Sequence, residues 1–389
     1  MRRPHPLAGL LLSLLPLAAV PGRDDADALP MFSRASSVAC ARCHTAAPRL
    51  TAYGMEFLQA GFQPRDSSLA TMWSAHGPAV SLDASSSYSI AKEDIRRPSV
   101  PGAQREAQGK GAWGELAIHA AGTVRRNVSV RYGGAYDAAT RVFATEQAYV
   151  QSDDVARSGA LNVRAGRFEV EAPYLSDSRR PTAKPYLSPV SLDAEGLELN
   201  GERSAWTWAV GRAESRRRAS GDDPAERFLG GFEDTYLAIM RGTGTERIAG
   251  RMLFDHQASN LREHAWLQHL QAVGSALLTA GPLTLVPAYV FDRFDDRPEA
   301  GMHERHQYGL IEVSCVLGTR RRWDIAARGE HEYVTANALT REMDRNLEVL
   351  SLGYSSHPGL RLEVEGSNAG NNVGGPAVRR VGLSVRVGV

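Results

Sequence analysis

The sequence predicts an all-β fold, an antiparallel β-barrel of about 16 strands, preceded by a small α-helical segment near the N-terminus. Three observations carry this reading. From about residue 78 onward the chain divides into segments with period-two hydrophobic patterning. Clusters of Gly, Asp, Asn and Pro separate those segments. Past residue 20 no apolar run approaches the length of a membrane helix. Membrane strands remain allowed, because their apolar residues alternate with polar ones and leave the average hydropathy low.

The N-terminal element comes first. Arg2 and Arg3 precede the apolar stretch Leu7 to Val20, and Ala26-Asp27-Ala28 then supplies a small-x-small cleavage site. This is the pattern of a secretory signal peptide over residues 1–28, with a mature chain beginning near Leu29. Export through the Sec pathway is therefore expected.

About a dozen residues into the mature chain stands Cys40-Ala41-Arg42-Cys43-His44. Two thiols three positions apart, followed directly by a histidine, form the attachment pattern for a c-type haem. Each thiol adds across one vinyl group of the porphyrin, and the adjacent imidazole reaches the iron as proximal ligand. Cys40 and Cys43 are thus the expected covalent attachment points of one haem c per chain, and His44 the expected axial ligand. A thioredoxin-like pair would sit at a strand-to-helix junction in a βαβ unit, and none is visible. A zinc knuckle would need a second Cys or His pair, and none follows. A disulfide between Cys40 and Cys43 would leave His44 unexplained. The third cysteine, Cys315, is isolated and reads as a small apolar residue, buried or facing lipid.

The segment 29–76 is the expected cytochrome part. Within it, Leu50 to Phe62 reads as a short helix, with Leu50, Tyr53, Phe57 and Leu58 at near-helical spacing. That face either covers the haem edge or packs on a barrel wall. About fifty residues around one haem cannot build an independent core, so the segment must dock against something. The lumen of its own barrel is the natural candidate. Met31, Met55, Met72 and His76 are close enough in sequence to be considered as distal ligand, and the sequence does not choose among them.

Residues 77–389 are the expected barrel. In the last strand Val381, Leu383, Val385, Val387 and Val389 alternate with Arg380, Gly382, Ser384, Arg386 and Gly388. Near Trp323, the residues Trp323, Ile325, Ala327 and Tyr333 share one face, and Asp324, Arg328, Glu330 and Glu332 the other. Leu360, Leu362 and Val364 alternate with Arg361, Glu363 and Glu365. Val128/Val130/Tyr132, Leu161/Val163/Ala165 and Leu197/Leu199 extend the pattern upstream. A membrane barrel places the ionised face in an aqueous lumen; two soluble sandwich domains would place it in bulk water, and patterning alone leaves both open. The even strand number and the absence of a linker favour the barrel. Trp113, Tyr132, Tyr149, Trp206, Trp266 and Tyr289 stand near strand ends, as interfacial girdles require. Two long connections, Val170 to Leu192 with Arg179, Arg180 and Lys184, and Glu214 to Gly230 with Arg216, Arg217 and Arg218, stand on one rim. Such loops fold inward or face the exterior, and the favoured reading is solvated loops without a role.

Composition excludes several functions. Lys+Arg number 45 against 44 Asp+Glu, so there is no basic surface for nucleic acid. There is no nucleophile elbow, phosphate loop or zinc-protease helix motif. His303 and His306, three apart, and His264 and His269, five apart, fall on opposite faces of a strand and read as surface or lumen histidines.

The residues around the haem motif carry a resemblance. Leu29-Pro30-Met31-Phe32-Ser33-Arg34, Cys40 to Thr45, Pro48-Arg49-Leu50, Tyr53-Gly54-Met55-Glu56-Phe57 and Ala60-Gly61-Phe62 together resemble the fused monohaem cytochrome c–porins of bacterial outer membranes, the outer-membrane iron-oxidase type. Gln147 to Phe168 looks like the early barrel strands of such proteins. Val389 departs from the aromatic residue with which outer-membrane barrels usually end. The resemblance implies an outer-membrane protein that passes single electrons between an extracellular donor, ferrous iron or another reductant, and a periplasmic carrier such as a soluble cytochrome or copper protein. It would then be an iron:cytochrome c oxidoreductase or an electron carrier, set in outer-membrane lipid. Two alternatives stand beside it: a haem-plugged porin or diffusion channel without redox turnover, and a soluble periplasmic cytochrome with a β-sandwich domain.

Overall fold

The computed structural model describes residues 40–44, 49–60, 62, 79–94, 106–125, 127–138, 141–156, 161–172, 174–176, 179–187, 190–215, 232–243, 246–258, 266–295, 303–317, 323–336, 343–357, 360–371 and 377–388. Sixteen strands, each hydrogen-bonded to its sequence neighbours, form one sheet that closes on itself. They are β1(Ala79–Asp94), β2(Glu106–Arg125), β3(Val128–Asp137), β4(Val142–Ser152), β5(Asn162–Glu171), β6(Ser191–Arg203), β7(Trp206–Ser215) and β8(Phe232–Thr243), followed by β9(Glu246–Ala258), β10(Trp266–Ala280), β11(Leu283–Asp295), β12(His303–Leu317), β13(Trp323–Ala336), β14(Met343–His357), β15(Leu360–Asn371) and β16(Ala377–Gly388). Closure is antiparallel, β1 against β16, with Tyr88 opposite Leu383 and Ile90 opposite Val381. A single closed sheet removes every edge, and it overturns the alternative of paired sandwiches.

Side-chain alternation sorts water from lipid. On β13, Asp324, Arg328, Glu330 and Glu332 are buried inside, while Trp323 and Ile325 are exposed outside. The outer face also exposes Leu237, Ile239, Ile248, Met252, Ile311, Leu350, Leu352, Val364 and Val381. An apolar exterior around a charged interior is the inverse of a soluble sandwich and fits a bilayer. Among the described residues no helix is long and apolar enough to cross a membrane.

The rims differ. Residues 204–205 and 281–282 are two-residue turns, both at the end where β1 begins and β16 finishes. The longer connection after β5 lies at the other end. Trp206 and Trp323 open strands at the short-turn rim, and Trp323 stacks on Tyr354 with centroids 4.4 Å apart, as a girdle would. Tyr132 and Tyr289 also face outward. Tyr149 does not: it points into the lumen and is buried there, because its β4 neighbours set the opposite parity. Trp113 and Trp266 carry no described side chain. Cys315 shares the outward parity of Ile311 on β12 and is half-buried.

Among the described residues two helices precede the barrel, α1(Cys40–Cys43) and α2(Ala52–Gln59). The expected helix over Leu50 to Phe62 is thus shorter at both ends. Thr51 caps it, its Oγ1 accepting from the Gly54 N–H at 3.1 Å. Beyond the last turn Phe62 adopts φ 64° and its N–H returns to the Phe57 carbonyl at 2.9 Å.

Candidate functional site

The site is the lumen, filled from two directions. The first filler is the N-terminal segment. Cys40 and Cys43 lie one helical turn apart in α1, and Cys43 is in no disulfide. His44, half-buried, pairs with Leu50 as an isolated antiparallel bridge. The Thr51 N–H donates to the Cys43 carbonyl at 2.8 Å, and the Thr51 hydroxyl to the Arg42 carbonyl at 2.6 Å. Arg42 lies over the Tyr53 ring at 4.4 Å. A Cβ on Gly54 would stand 2.2 Å from the Cys43 oxygen, so only glycine lets α2 rest on the motif's backbone.

The other half of α2 meets the barrel. Phe62 is 2% exposed and packs with Tyr149, Phe168, Tyr236 and Leu253, and Phe57 and Leu58 join the same cluster. Phe57 meets Phe62 edge to face at 5.9 Å, and Arg131 lies over the Phe62 ring at 5.5 Å. The apolar face of the helix is therefore shared: Phe57 and Leu58 go to the wall, while Leu50 and Tyr53 stay with the Cys-x-x-Cys-His turn. Burying Phe62 contributes about 1.5–3 kcal/mol.

Polar ties among the described residues help to set the segment's position. Arg49 pairs with Glu312 of β12, both buried. Arg247 of β9 donates to Glu56 at 2.9 Å. The Gln151 amide of β4 donates to the Gln59 carbonyl at 2.7 Å. None of these partners was marked by the sequence. Arg49 stands in the resemblance segment, but no spacing links it to a glutamate on the twelfth strand.

The second filler is the connection between β5 and β6. It does not lie in solvent, as the sequence suggested, but folds into the lumen. Ala172, Leu175, Tyr186 and Val190 pack against Val273, Leu277, Val286, Val290, Tyr308 and Leu310. Arg251 holds its start, donating to the Val170 carbonyl at 2.7 Å. Arg328 holds its tip, donating to Thr182 Oγ1 at 2.7 Å and to the Lys184 and Pro185 carbonyls at 2.6 and 3.0 Å. Glu365 accepts from the Ala183 and Lys184 N–H groups at 2.6 and 3.2 Å, and Glu330 from the Leu187 N–H at 2.7 Å. Burial lowers the Lys184 ammonium below the usual lysine range, with Arg380 adding to that and Glu365 opposing it. The connection after β7 lies outside the described residues from 216 to 231.

Of the sequence-expected ligands, Met55 sits buried on α2. Met31, Met72 and His76 lie outside the described residues, as does His264. His306 faces the lumen, its Nδ1 2.8 Å from Glu332. Among the described residues no group of three or more His, Cys, Asp or Glu side chains is placed to hold a metal ion. A porphyrin-bound iron needs only one imidazole beside the two cysteine positions. A helical turn carrying those positions, locked by backbone contacts to α2, fits that donor set.

The fold has relatives among solved structures. OmpT of Vibrio cholerae, in trimer form, superposes with a TM-score of 0.56 at 12% identity, covering 80% of this chain and 100% of that one. An anion-selective porin from Comamonas acidovorans gives 0.55 at 10% identity over 80% and 100%. OmpF of Salmonella typhi, in complex with daunomycin, gives 0.55 at 10% identity over 80% and 98%. At such identities the likeness is one of fold, the porin-like outer-membrane barrel. No protein-family profile matches the chain, and no curated protein matches it in sequence.

Proposed function

We propose that this chain is an outer-membrane electron-transfer protein whose barrel houses its own N-terminal monohaem cytochrome segment, residues 29–76. Single electrons would pass between an extracellular donor, ferrous iron being the leading candidate from the family resemblance, and a soluble cytochrome or copper protein of the periplasm. The observation that carries this reading is the docking of the Cys-x-x-Cys-His turn and α2 inside a lipid-facing barrel, by Phe62 and by Arg49 on Glu312.

Cys40 and Cys43 would hold haem c by thioether bonds, and His44 would be its proximal ligand. The bound group would supply a one-electron ferric/ferrous couple, tuned by ligand and burial. The chain's own contribution is positional. Thr51 and Gly54 fix the motif's backbone against α2, and the ties at Glu56 and Gln59 fix α2 against the wall. Such a barrel faces its long connections outward and its short turns toward the periplasm, so a segment entering from the short-turn rim arrives from the side of the carrier.

The test is an absorption spectrum of the membrane-bound protein titrated with ferrous iron, beside Cys43→Ala. The proposal expects a Soret band that shifts on reduction by iron, haem-dependent peroxidase stain after denaturing electrophoresis, and loss of both in the variant. A haem-bearing protein that ferrous iron leaves oxidised would leave a plugged barrel without this turnover. A mature protein with no haem stain would end the reading altogether.

A further inference from the structure

The two fillers meet at one place on the wall. Glu312, fully buried on β12, takes Arg49 of the N-terminal segment on one carboxylate oxygen and stands 3.9 Å from Arg328 Nη1 with the other. Arg328 in turn carries three hydrogen bonds to the β5–β6 connection and lies under the Tyr186 ring at 4.5 Å. Its Nε also pairs with Glu330 at 2.6 Å, and Glu330 accepts from Leu187 of the same connection. Arg49 and Arg328 are matched by Glu312 and Glu330, so the charges of these four side chains cancel. Breaking a buried pair of this kind leaves an uncompensated charge, which makes each half of the junction depend on the other.

We infer that the two fillers form one seal, ion-tight when both are seated, and that Arg328 is the positioning residue that couples them through Glu312. A displacement of the β5–β6 connection would then loosen the segment bearing Cys43 and His44. A barrel with this superposition to diffusion porins would conduct only when the junction opens. This goes beyond electron transfer and does not depend on what the segment carries.

The experiment is potassium chloride conductance of the full-length protein in planar bilayers, with haem stain, heat-modifiable mobility and protease sensitivity of the segment followed in parallel. Wild type is expected to be closed. Arg328→Gln, folded and still haem-stained, should conduct, with an open population raised at least about tenfold, the change that losing one charge-assisted hydrogen bond implies. Its N-terminal segment should become protease-sensitive as well. Ala183→Pro removes one loop N–H from Glu365 while leaving every wall charge in place, so it keeps the test alive if Arg328→Gln fails to fold. It should leak by a smaller factor. Wild type that conducts as an open porin, or folded variants that stay closed, would overturn the inference. Absence of haem would show in the stain alone and leave the conductance result readable.

Discussion

The β2–β9 side of the lumen receives Phe57, Leu58 and Phe62 of the N-terminal segment on aromatic and aliphatic side chains, whereas the β10–β15 side receives Arg49 of that segment and the β5–β6 connection with ionised side chains added to an apolar floor. The difference follows from what each guest brings. α2 satisfies most of its own backbone, so the wall that holds it can be Tyr149, Phe168 and Leu253 with polar ties to Glu56 and the Gln59 carbonyl around the edge. The β5–β6 connection has almost no regular structure of its own, and its buried N–H and C=O groups need partners. Arg328, Glu330 and Glu365 supply them. A lumen that would be charged in an open channel is here used to solvate a loop.

The largest expected effect tests whether the two regions are as separate as that contrast suggests. Glu312→Ala leaves Arg49 and Arg328 without their shared carboxylate and should cost about 3–5 kcal/mol. Limited proteolysis of the membrane-bound protein should then cut both the N-terminal segment and residues 179–187. Cleavage of only one would show that the regions are held independently. Phe62→Ala comes next. It removes a ring that is 2% exposed, costs about 3 kcal/mol of packing, and should release the segment while the β5–β6 connection stays protected. If the connection is freed equally, apolar docking and polar latch form one unit and the comparison fails.

Much of this was legible in the sequence, for reasons that also mark where legibility ends. Strand patterning is local: Asp324, Arg328, Glu330 and Glu332 share a face by period two alone, and their side of the barrel could be read before any pairing was known. The Cys40 to His44 motif is likewise local chemistry. That the segment must dock followed from its size. Where it docks did not, because Arg49 with Glu312 and Glu56 with Arg247 join residues far apart in the chain, the second pair 191 positions, and an arginine in an arginine-rich chain carries no address. Tyr149 misled because a tyrosine near a strand end looks alike from both faces; only the register of β4 turns it inward. The inward fold of the β5–β6 connection was the less favoured of two readings for the same reason, since its arginines and prolines suit solvent, while the carboxylates that receive it lie on β13 and β15.

A smaller effect sharpens the contrast from the segment's side. Arg247 and Glu56 are partly exposed, so Arg247→Ala should cost below about 1 kcal/mol. Protease resistance of α2 should scarcely change at low salt or high. A loss comparable with that of Phe62→Ala would mean that polar ties, not the aromatic cluster, seat the segment.

The smallest expected effect lies at the start of the β5–β6 connection. Burial raises the Tyr174 hydroxyl from 10.0 to about 12, against the attraction of Arg247 for its ionised form. The folded connection therefore prefers the neutral phenol. Its contribution is intact below pH 10, where folded and released forms are both protonated, and is lost as pH rises from 10 toward 12, where the released tyrosine ionises first. Tyrosinate absorbance of the detergent-solubilised barrel, compared with Tyr174→Phe, should show one late-titrating group missing in the variant. Protection of residues 179–187 from protease should decline over the same interval in wild type and less in Tyr174→Phe. Equal decline in both proteins would assign the alkaline release to the Arg328 junction instead of the apolar floor beneath Leu175.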